Sequence, residues 1–270
     1  VFYDGFYRAK AYQKEWNAYR NGQIKTVPRV DLELEVLSEI LRSERFITCH
    51  SYVQSEINML MHVADSMGFR INTFTHILEG YKVADKMRLH GVAGSTFSDW
   101  WAYKFEVNDA IPYNAALMTE QGVLVCINSD DAEMGRRLNQ EAAKTIKYGG
   151  LTEEQAWKLV TLNPAKALHL DDQMGSIKAG KAADLVLWTS NPLSIEARVS
   201  LTMIDGVVYY EEAIQAQKQQ QIEQERTRIL SLMLAANERG EASKTPQKKV
   251  KKHYHCDTLG EEATETENSH

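Results

Sequence analysis

Between residues 122 and 131 the chain reads GVLVCINSDD, and this stretch limits what the rest can form. Val123, Leu124, Val125, Cys126 and Ile127 make an apolar, mostly β-branched run. Such a run suits a strand covered on both faces, as in a parallel sheet. It stops at Asn128, Ser129 and Asp130, and from Asp131 the residues AEMGRRLNQEAAKTI follow a helical pattern. A carboxylate at the C-terminal end of a parallel strand, just before a helix, sits where α/β barrels carry their chemistry. Two upstream runs end in a similar way, FITCH in His50 and RINTFTH in His76. Three strand-like runs therefore close on His50, His76 and Asp130, all metal-ligand types.

Composition narrows the function classes. A chain of 270 residues with 43% hydrophobic content supports a sizeable core, in one large domain or two small ones. A formal charge of -6 argues against general nucleic-acid binding, which needs a basic surface. Three cysteines do not make a disulfide framework, and Cys49 and Cys126 lie inside apolar runs, as buried thiols do. No apolar run reaches the roughly 18 residues of a membrane span, and no signal-peptide pattern is visible. Val1 opens the chain in helix-like sequence, so coding sequence is expected upstream. The compartment, periplasmic or cytoplasmic, is left open.

Taken in order, residues 1–22 predict a helix in which Tyr7, Tyr12, Trp16 and Tyr19 recur at roughly helical spacing, a packing stripe rather than a ligand site. Asp31 caps a helix over residues 32–41. Residues 55–68 predict a helix stopped by Gly68, with His62 structural or on the surface. The strand of residues 70–75 delivers His76. Residues 80–90 predict a helix whose last residue, His90, favours its dipole. Residues 92–95 predict a short fourth strand.

Residues 96–108 (TFSDWWAYKFEVN) predict an aromatic loop at the same mouth as His50, His76 and Asp130. Trp100, Trp101, Tyr103 and Phe105 would wall a pocket there, and Lys104 would face an anionic group; the alternative is a rigid packed loop. After a helix over 111–121 and the 123–127 strand, a helix runs to Tyr148 and closes at Gly149-Gly150. Thr152 and Gln155 predict a capping box for a helix over 153–162. Asn163 and Pro164 predict the cap and first residue of another. Gly175 and Gly180 mark a turn. Residues 184–188, 201–204 and 207–210 predict strands. The last two flank Asp205-Gly206, a two-residue hairpin signal, so these strands form a small antiparallel sheet outside the α/β part.

Four strands ending near His50, His76, Ser95 and Asp130 are half of what a barrel of eight strands and about 250 residues needs. Their order is His, His, a strand without a ligand, then Asp. NPAKAL (163–168) and GSIKAGKAADLVLW (175–188) follow, and then a hairpin containing IDG (204–206). Over about residues 46–210 this resembles the amidohydrolase superfamily, close to its imidazolonepropionase-like and prolidase-like members. GSIKAGKAADLV is the most specific part of the match.

The resemblance implies an α/β fold: the second half of a (β/α)8 TIM barrel, strands of a small β-sandwich domain, and a C-terminal helix and tail. The implied division is 1–180 barrel, 181–212 sandwich strands, 213–240 helix and 241–270 disordered tail. It also implies one or two divalent ions, zinc first, with His50, His76 and Asp130 as ligands. The histidines match the ends of strands five and six, and Asp130 matches the aspartate of strand eight. The superfamily's strand-one HxH pair and strand-four lysine or glutamate are not found before His50. The HxH of His253 and His255 follows no strand and is set aside.

The implied reaction is hydrolysis of a carbon–nitrogen bond in a small amide, cyclic amide or acyl-dipeptide. Asp130 would take the proton of metal-activated water and pass it to the leaving nitrogen. A homo-oligomer is allowed, and no nucleic-acid partner or membrane span is expected. Two rival readings are a non-catalytic barrel-like protein and tail-mediated binding, through KKVKK (248–252) or through His253, His255, Cys256 and Asp257.

Overall fold

The structure, a computed structural model, describes residues 1–100, 102 and 104–241. The expected disordered tail therefore lies, apart from Glu241, outside the described residues, as do the KKVKK and His253–Asp257 clusters. Val1–Glu212 form one compact unit, and a second begins at Ala213.

The first unit opens with two helices, α1 (Phe2–Arg20) and α2 (Leu32–Leu41). Asp31 caps α2, its Oδ1 accepting from the Glu33 and Leu34 amides at 3.1 Å each. Four short strands follow: β1 (Thr48–Ser51), β2 (Thr73–His76), β3 (Ala93–Thr96) and β4 (Val125–Ile127). All neighbours pair parallel in the order β1-β2-β3-β4. The crossovers carry α3 (Gln54–Met67), α4 (Ala84–His90) and α5 (Asn114–Glu120). The helix α3 buries Ile57, Leu60, Met61, Ala64 and Met67, the spacing of an apolar stripe, and Gly68 stops it at φ 78°. The main core lies between these helices and one face of the sheet, where Phe74, Val125 and Ile127 meet Ile57, Met87 and Met118. This is a mixed α/β fold on a parallel sheet.

Four helical expectations need correction. Residues 80–90 are not one helix: a 3₁₀ turn, Gly80–Lys82, precedes α4 and breaks at Val83. The Tyr81 amide instead bonds to the Asn114 side chain at 2.8 Å. The helix after Asp131 splits into α6 (Ala132–Gly135) and α7 (Leu138–Gly149), because Gly135 is a weak helix former and Arg137 leaves helical geometry (φ -127°, ψ 29°). The capping box is present, with Thr152 and Gln155 reciprocally bonded, but its helix α8 (Glu153–Lys158) is shorter than expected. The helix α9 (Leu162–Ala167) has Thr161 at its cap, not Asn163. Asn163 Nδ2 instead donates to the Val125 carbonyl at 2.8 Å, satisfying an edge group of β4.

Beyond α9, β5 (Leu185–Trp188), β6 (Val199–Ile204) and β7 (Val207–Glu211) form a separate antiparallel sheet. Asp205 (φ 49°) and Gly206 (φ 78°) both take positive φ, as a type I′ hairpin demands. In the second unit α10 (Glu212–Glu238) buries none of its residues. Among the described residues no helix is long and apolar enough to cross a membrane.

The Gly149-Gly150 pair divides its work. Gly150 takes the left-handed cap of α7 (φ 70°), whereas Gly149 lets α7 approach α5, since a Cβ on it would collide with the Ala116 methyl. Gly149→Ala is expected to destabilise the fold by about 1–3 kcal/mol through overpacking. A denaturation midpoint equal to the parent's would show that the two helices can move apart freely.

Candidate metal and catalytic site

His50 and His76 reach each other at the C-terminal ends of neighbouring strands. His50 Nδ1 and His76 Nε2 stand 2.7 Å apart, one ring donating and the other accepting according to tautomer. His50 is exposed on β1, and His76 is only 4% exposed. Strand alternation alone would put His76 on the same side as the buried Phe74. A left-handed backbone re-aims it: His76 has φ 71° and Ile77 φ 37°, rare values for non-glycine residues and most unfavourable for a β-branched one.

This corner is held from several sides. The Ile77 amide donates to Ser51 O at 2.8 Å, and Ile77 O accepts from Gly80 N at 3.0 Å and from Asn114 Nδ2 at 2.9 Å. Asn114, 2% exposed, also donates to Thr96 Oγ1 at 3.0 Å, so it ties the corner to the end of β3. Glu79 adds a further tie. Its buried carboxylate accepts from Gln54 N at 2.8 Å, serving the α3 N-terminus that Val53 cannot cap, and pairs with Lys82 at 3.3 Å.

Aromatic rings wall the pair. Tyr52 stacks on His76 at 4.8 Å with the planes 2° apart, and Phe97 lies 5.3 Å from the same ring. Trp100 stacks on Phe97 at 4.7 Å, and its indole Nε1 donates to Met134 Sδ at 3.0 Å. The Lys104 ammonium lies 4.1 Å over the Tyr52 ring. Trp100 and Lys104 thus join the wall around His76. Phe105 does not, being 91% exposed. Trp101 and Tyr103 lie outside the described residues. The sequence reading missed Tyr52, Phe97, Glu79 and Asn114. Only the position of Tyr52, two residues beyond His50, offered a signal.

A partly buried ionic cluster anchors this wall to α7. Lys144 Nζ lies 2.8 Å from Asp99 and 3.0 Å from Glu141, and Ser98 Oγ donates to Glu141. Burial works against the Lys144 charge, but the bonds to Asp99 and Glu141 hold its pKa above the usual lysine range.

Asp130 follows β4 with φ 49° and is exposed. The cap of α6 is its neighbour: Asp131 Oδ1 accepts from Glu133 N at 2.9 Å and Met134 N at 2.8 Å. A capping role thus belongs to Asp131, and among the described residues no hydrogen bond engages the Asp130 carboxylate. Two facing imidazoles and a free carboxylate are nitrogen and oxygen donors of the kind a zinc-like ion takes. Among the described residues, however, no three His, Cys, Asp or Glu side chains gather into a metal-holding group.

One other histidine, His90, does structural work. His90 Nδ1 lies 2.6 Å from Asp65, and its Nε2 accepts from the Ile71 amide at 3.0 Å, so its ring bridges α3 and the entry to β2. His62 is exposed. Cys49 and Cys126 are free thiols. Burial pushes the Cys126 pKa up to about 12, which leaves it unreactive at neutral pH.

The amidohydrolase family model matches residues 62–209. The chain belongs to the amidohydrolase family. An amidohydrolase from Hapsidospora irregularis, tasK, is 30% identical over 189 residues, covering 68% of this chain and 19% of that protein. An imidazolonepropionase from Thermoplasma volcanium is 27% identical over 135 residues, covering 49% of this chain and 33% of that protein. The crystal structure of an amidohydrolase from Thermotoga maritima superposes with a TM-score of 0.71 at 28% identity, covering 78% of this chain and 55% of that one. This amidohydrolase chain therefore spans about a fifth of one of those two curated relatives and a third of the other.

Asn114 is the residue on which the His76 corner most depends. Asn114→Ala is expected to cost about 2–4 kcal/mol, because it strands buried partners at Ile77 and Thr96 and a part-buried one at Tyr81. It should also move the His76 ring resonances. Unaltered stability and unaltered His76 shifts would show that the corner holds itself.

Proposed function

We propose that this chain forms the C-terminal half of a (β/α)8 barrel in a metal-dependent hydrolase of carbon–nitrogen bonds. Residues 1–180 would belong to the barrel and 181–212 would supply strands to a small β-sandwich domain; 213–240 would be a helix and 241–270 a tail. The observation that carries the reading is the His50–His76 contact of 2.7 Å at the C-terminal ends of adjacent parallel strands. That end is where barrels of this architecture place their chemistry. The outer edge of β1 supports it, since Thr48 and His50 stand exposed there with no further strand beside them among the described residues. The names of the relatives support the reaction class.

In this proposal His50, His76 and Asp130 hold a divalent ion, zinc by donor chemistry, together with ligands from outside this chain. When bound, the ion lowers the pKa of its water and polarises the scissile carbonyl. The left-handed corner at His76 orients its imidazole, and the Tyr52 and Phe97 rings keep bulk water from that side. Asp130, relieved of capping by Asp131, takes a proton and returns it to the leaving nitrogen. Trp100, Trp101, Tyr103 and Lys104 would border a small amide, cyclic amide or acyl-dipeptide, with Lys104 facing an anionic group on it.

The test is made in the complete protein. Asp130→Asn keeps the shape of the side chain and leaves the Asp131 cap intact, so the fold should survive. kcat should fall by about 10²–10⁴, the usual worth of general acid–base work, with much of the metal retained. His50→Ala should instead lose metal, and excess metal should restore part of its activity. Near-normal kcat for Asp130→Asn with metal bound would remove Asp130 from the mechanism.

A further inference from the structure

The aromatic loop that leaves β3 is held near both ends by lysine–aspartate pairs, and the two ends rest on different elements. At the near end Asp99 pairs with Lys144 of α7 at 2.8 Å. At the far end Asp109 is held by the turn that follows His76. Lys82 Nζ lies 2.5 Å from Asp109 Oδ2, and Tyr81 Oη donates to the Asp109 carbonyl at 3.0 Å. Leu78, from the same turn, is buried with Val107 and Phe97 in a small apolar cluster apart from the main core. Residues 78–82 thus meet the end of the loop with an apolar side chain, a phenol and an ammonium.

Lys82 has a second partner. Glu79 Oε1 lies 3.3 Å from its ammonium, and Glu79 Oε2 accepts from Gln54 N at 2.8 Å. The Glu79 amide donates to the Tyr52 carbonyl at 3.1 Å. Glu79 therefore clasps the segment that leaves β1 just after His50, while itself following His76 closely in sequence. The Glu79 side chain is only 8% exposed, so its charge needs a counter-ion, whereas that of Asp109 is 52% exposed. The bond to Asp109 holds the Lys82 pKa above the usual lysine range against its desolvation, so the ammonium keeps its charge. One lysine between two carboxylates links the turns that bear both histidines to the loop that bears the wall.

The link reaches Lys104 through one turn of chain. A 3₁₀ turn, Phe105–Val107, lies between Lys104 and the held end. Val107 N donates to Lys104 O at 3.2 Å, and Ala110 N donates to Val107 O at 3.1 Å. Phe105, Glu106 and Asn108 are exposed and bury little that would fix the path of this turn by itself. Buried Val107 and paired Asp109 fix it instead. The Lys104 ammonium then stands 4.1 Å over the ring of Tyr52, the residue whose carbonyl Glu79 holds.

We propose that Lys82 is a positioning residue: its pairing with Glu79 and Asp109 sets the Lys104 ammonium at a fixed place beside the histidine pair, and so sets the affinity for substrates that carry an anionic group. This rests on the reading that Lys104 faces such a group on a substrate of the metal site.

The first measurement uses the full chain labelled in lysine and tyrosine. Cross-relaxation between the Lys104 ε-methylene and the Tyr52 ring protons reports the placement of the ammonium over the ring. It should be lost in Lys82→Met and in Asp109→Ala and return in Lys82→Arg. Asp109→Ala alters an exposed side chain and leaves Glu79 paired, so it decides the matter should Lys82→Met fail to fold. A signal that survives in Asp109→Ala overturns the proposal. The second measurement uses the complete, metal-loaded protein and a panel of acyl-dipeptides and cyclic amides, each as free acid and as carboxamide. Asp109→Ala should raise KM for the free acids by about two- to fivefold, the worth of a partly exposed pair, with kcat, metal content and the KM of the carboxamides unchanged. A matching loss of kcat or metal would make the pairing a prop of the fold and overturn the positioning role. An active parent whose Asp109→Ala variant keeps its KM for free acids overturns this proposal alone; a parent inactive across the panel overturns the hydrolase reading with it.

Discussion

The candidate site depends on one strained corner. Consecutive left-handed residues at His76 and Ile77 cost backbone energy that an isolated strand end would relieve by straightening. Three hydrogen bonds to Ile77 forbid that, and they come from β1, from the 3₁₀ turn and from α5. Each partner is itself buried or paired, so the corner is over-determined rather than poised. The imidazole of His76 is therefore delivered by the fold, not by its own rotamer. Its neighbour His50 needs no such device, because β1 alternation already places it opposite Thr75 on the exposed face.

The aromatic wall is held by a different kind of force. Phe97 and Trp100 sit on the segment leaving β3, which by itself has little reason to choose one path. The Lys144, Asp99, Glu141 and Ser98 cluster chooses it, with one cation facing two carboxylates in a partly buried setting. A pair of that kind adds little net stability over an apolar alternative, but breaking it leaves a charge uncompensated. Its use here is conformational. It ties the wall to α7, the second helix after the Asp130 turn.

Much of this was legible in the residues. The parallel strands, the Asp31 cap, the Thr152 box, the Asp205-Gly206 hairpin and the His50 and His76 strand ends each follow from local chemistry acting within a few positions. The misses share a cause. Asn163 looked like a cap and is a patch on the edge of β4, 38 residues away in sequence. Asn114 looked like an ordinary helix residue and is the brace of a turn 37 residues upstream. His90 ends α4 as expected, and it also bridges two elements, which its position did not signal. In each the side chain answers to a partner brought near by topology, which spacing along the chain does not encode. The break at Arg137 was different, since Gly135 carried the signal and a strong helical pattern on either side masked it.

Stability and the candidate site lie on opposite faces of one sheet. The side of Phe74, Val125 and Ile127 is dry, close-packed against helices, and supplies the hydrophobic driving force. The other side bears Thr48, His50, Thr73, Thr75 and Ser95, with Asn128 Nδ2 donating to Ser95 Oγ at 2.7 Å. It is incompletely satisfied, for Thr75 Oγ1 is buried without a partner. A fold organised for stability alone would not leave hydroxyls and an imidazole on a sheet face, because each must find a hydrogen bond or remain in water. Separating the faces lets the polar one vary without dismantling the core. His76 is the exception. It stands at the boundary, buried like a core residue and turned by its backbone toward the polar side, so the packing that stabilises the sheet also aims the ring.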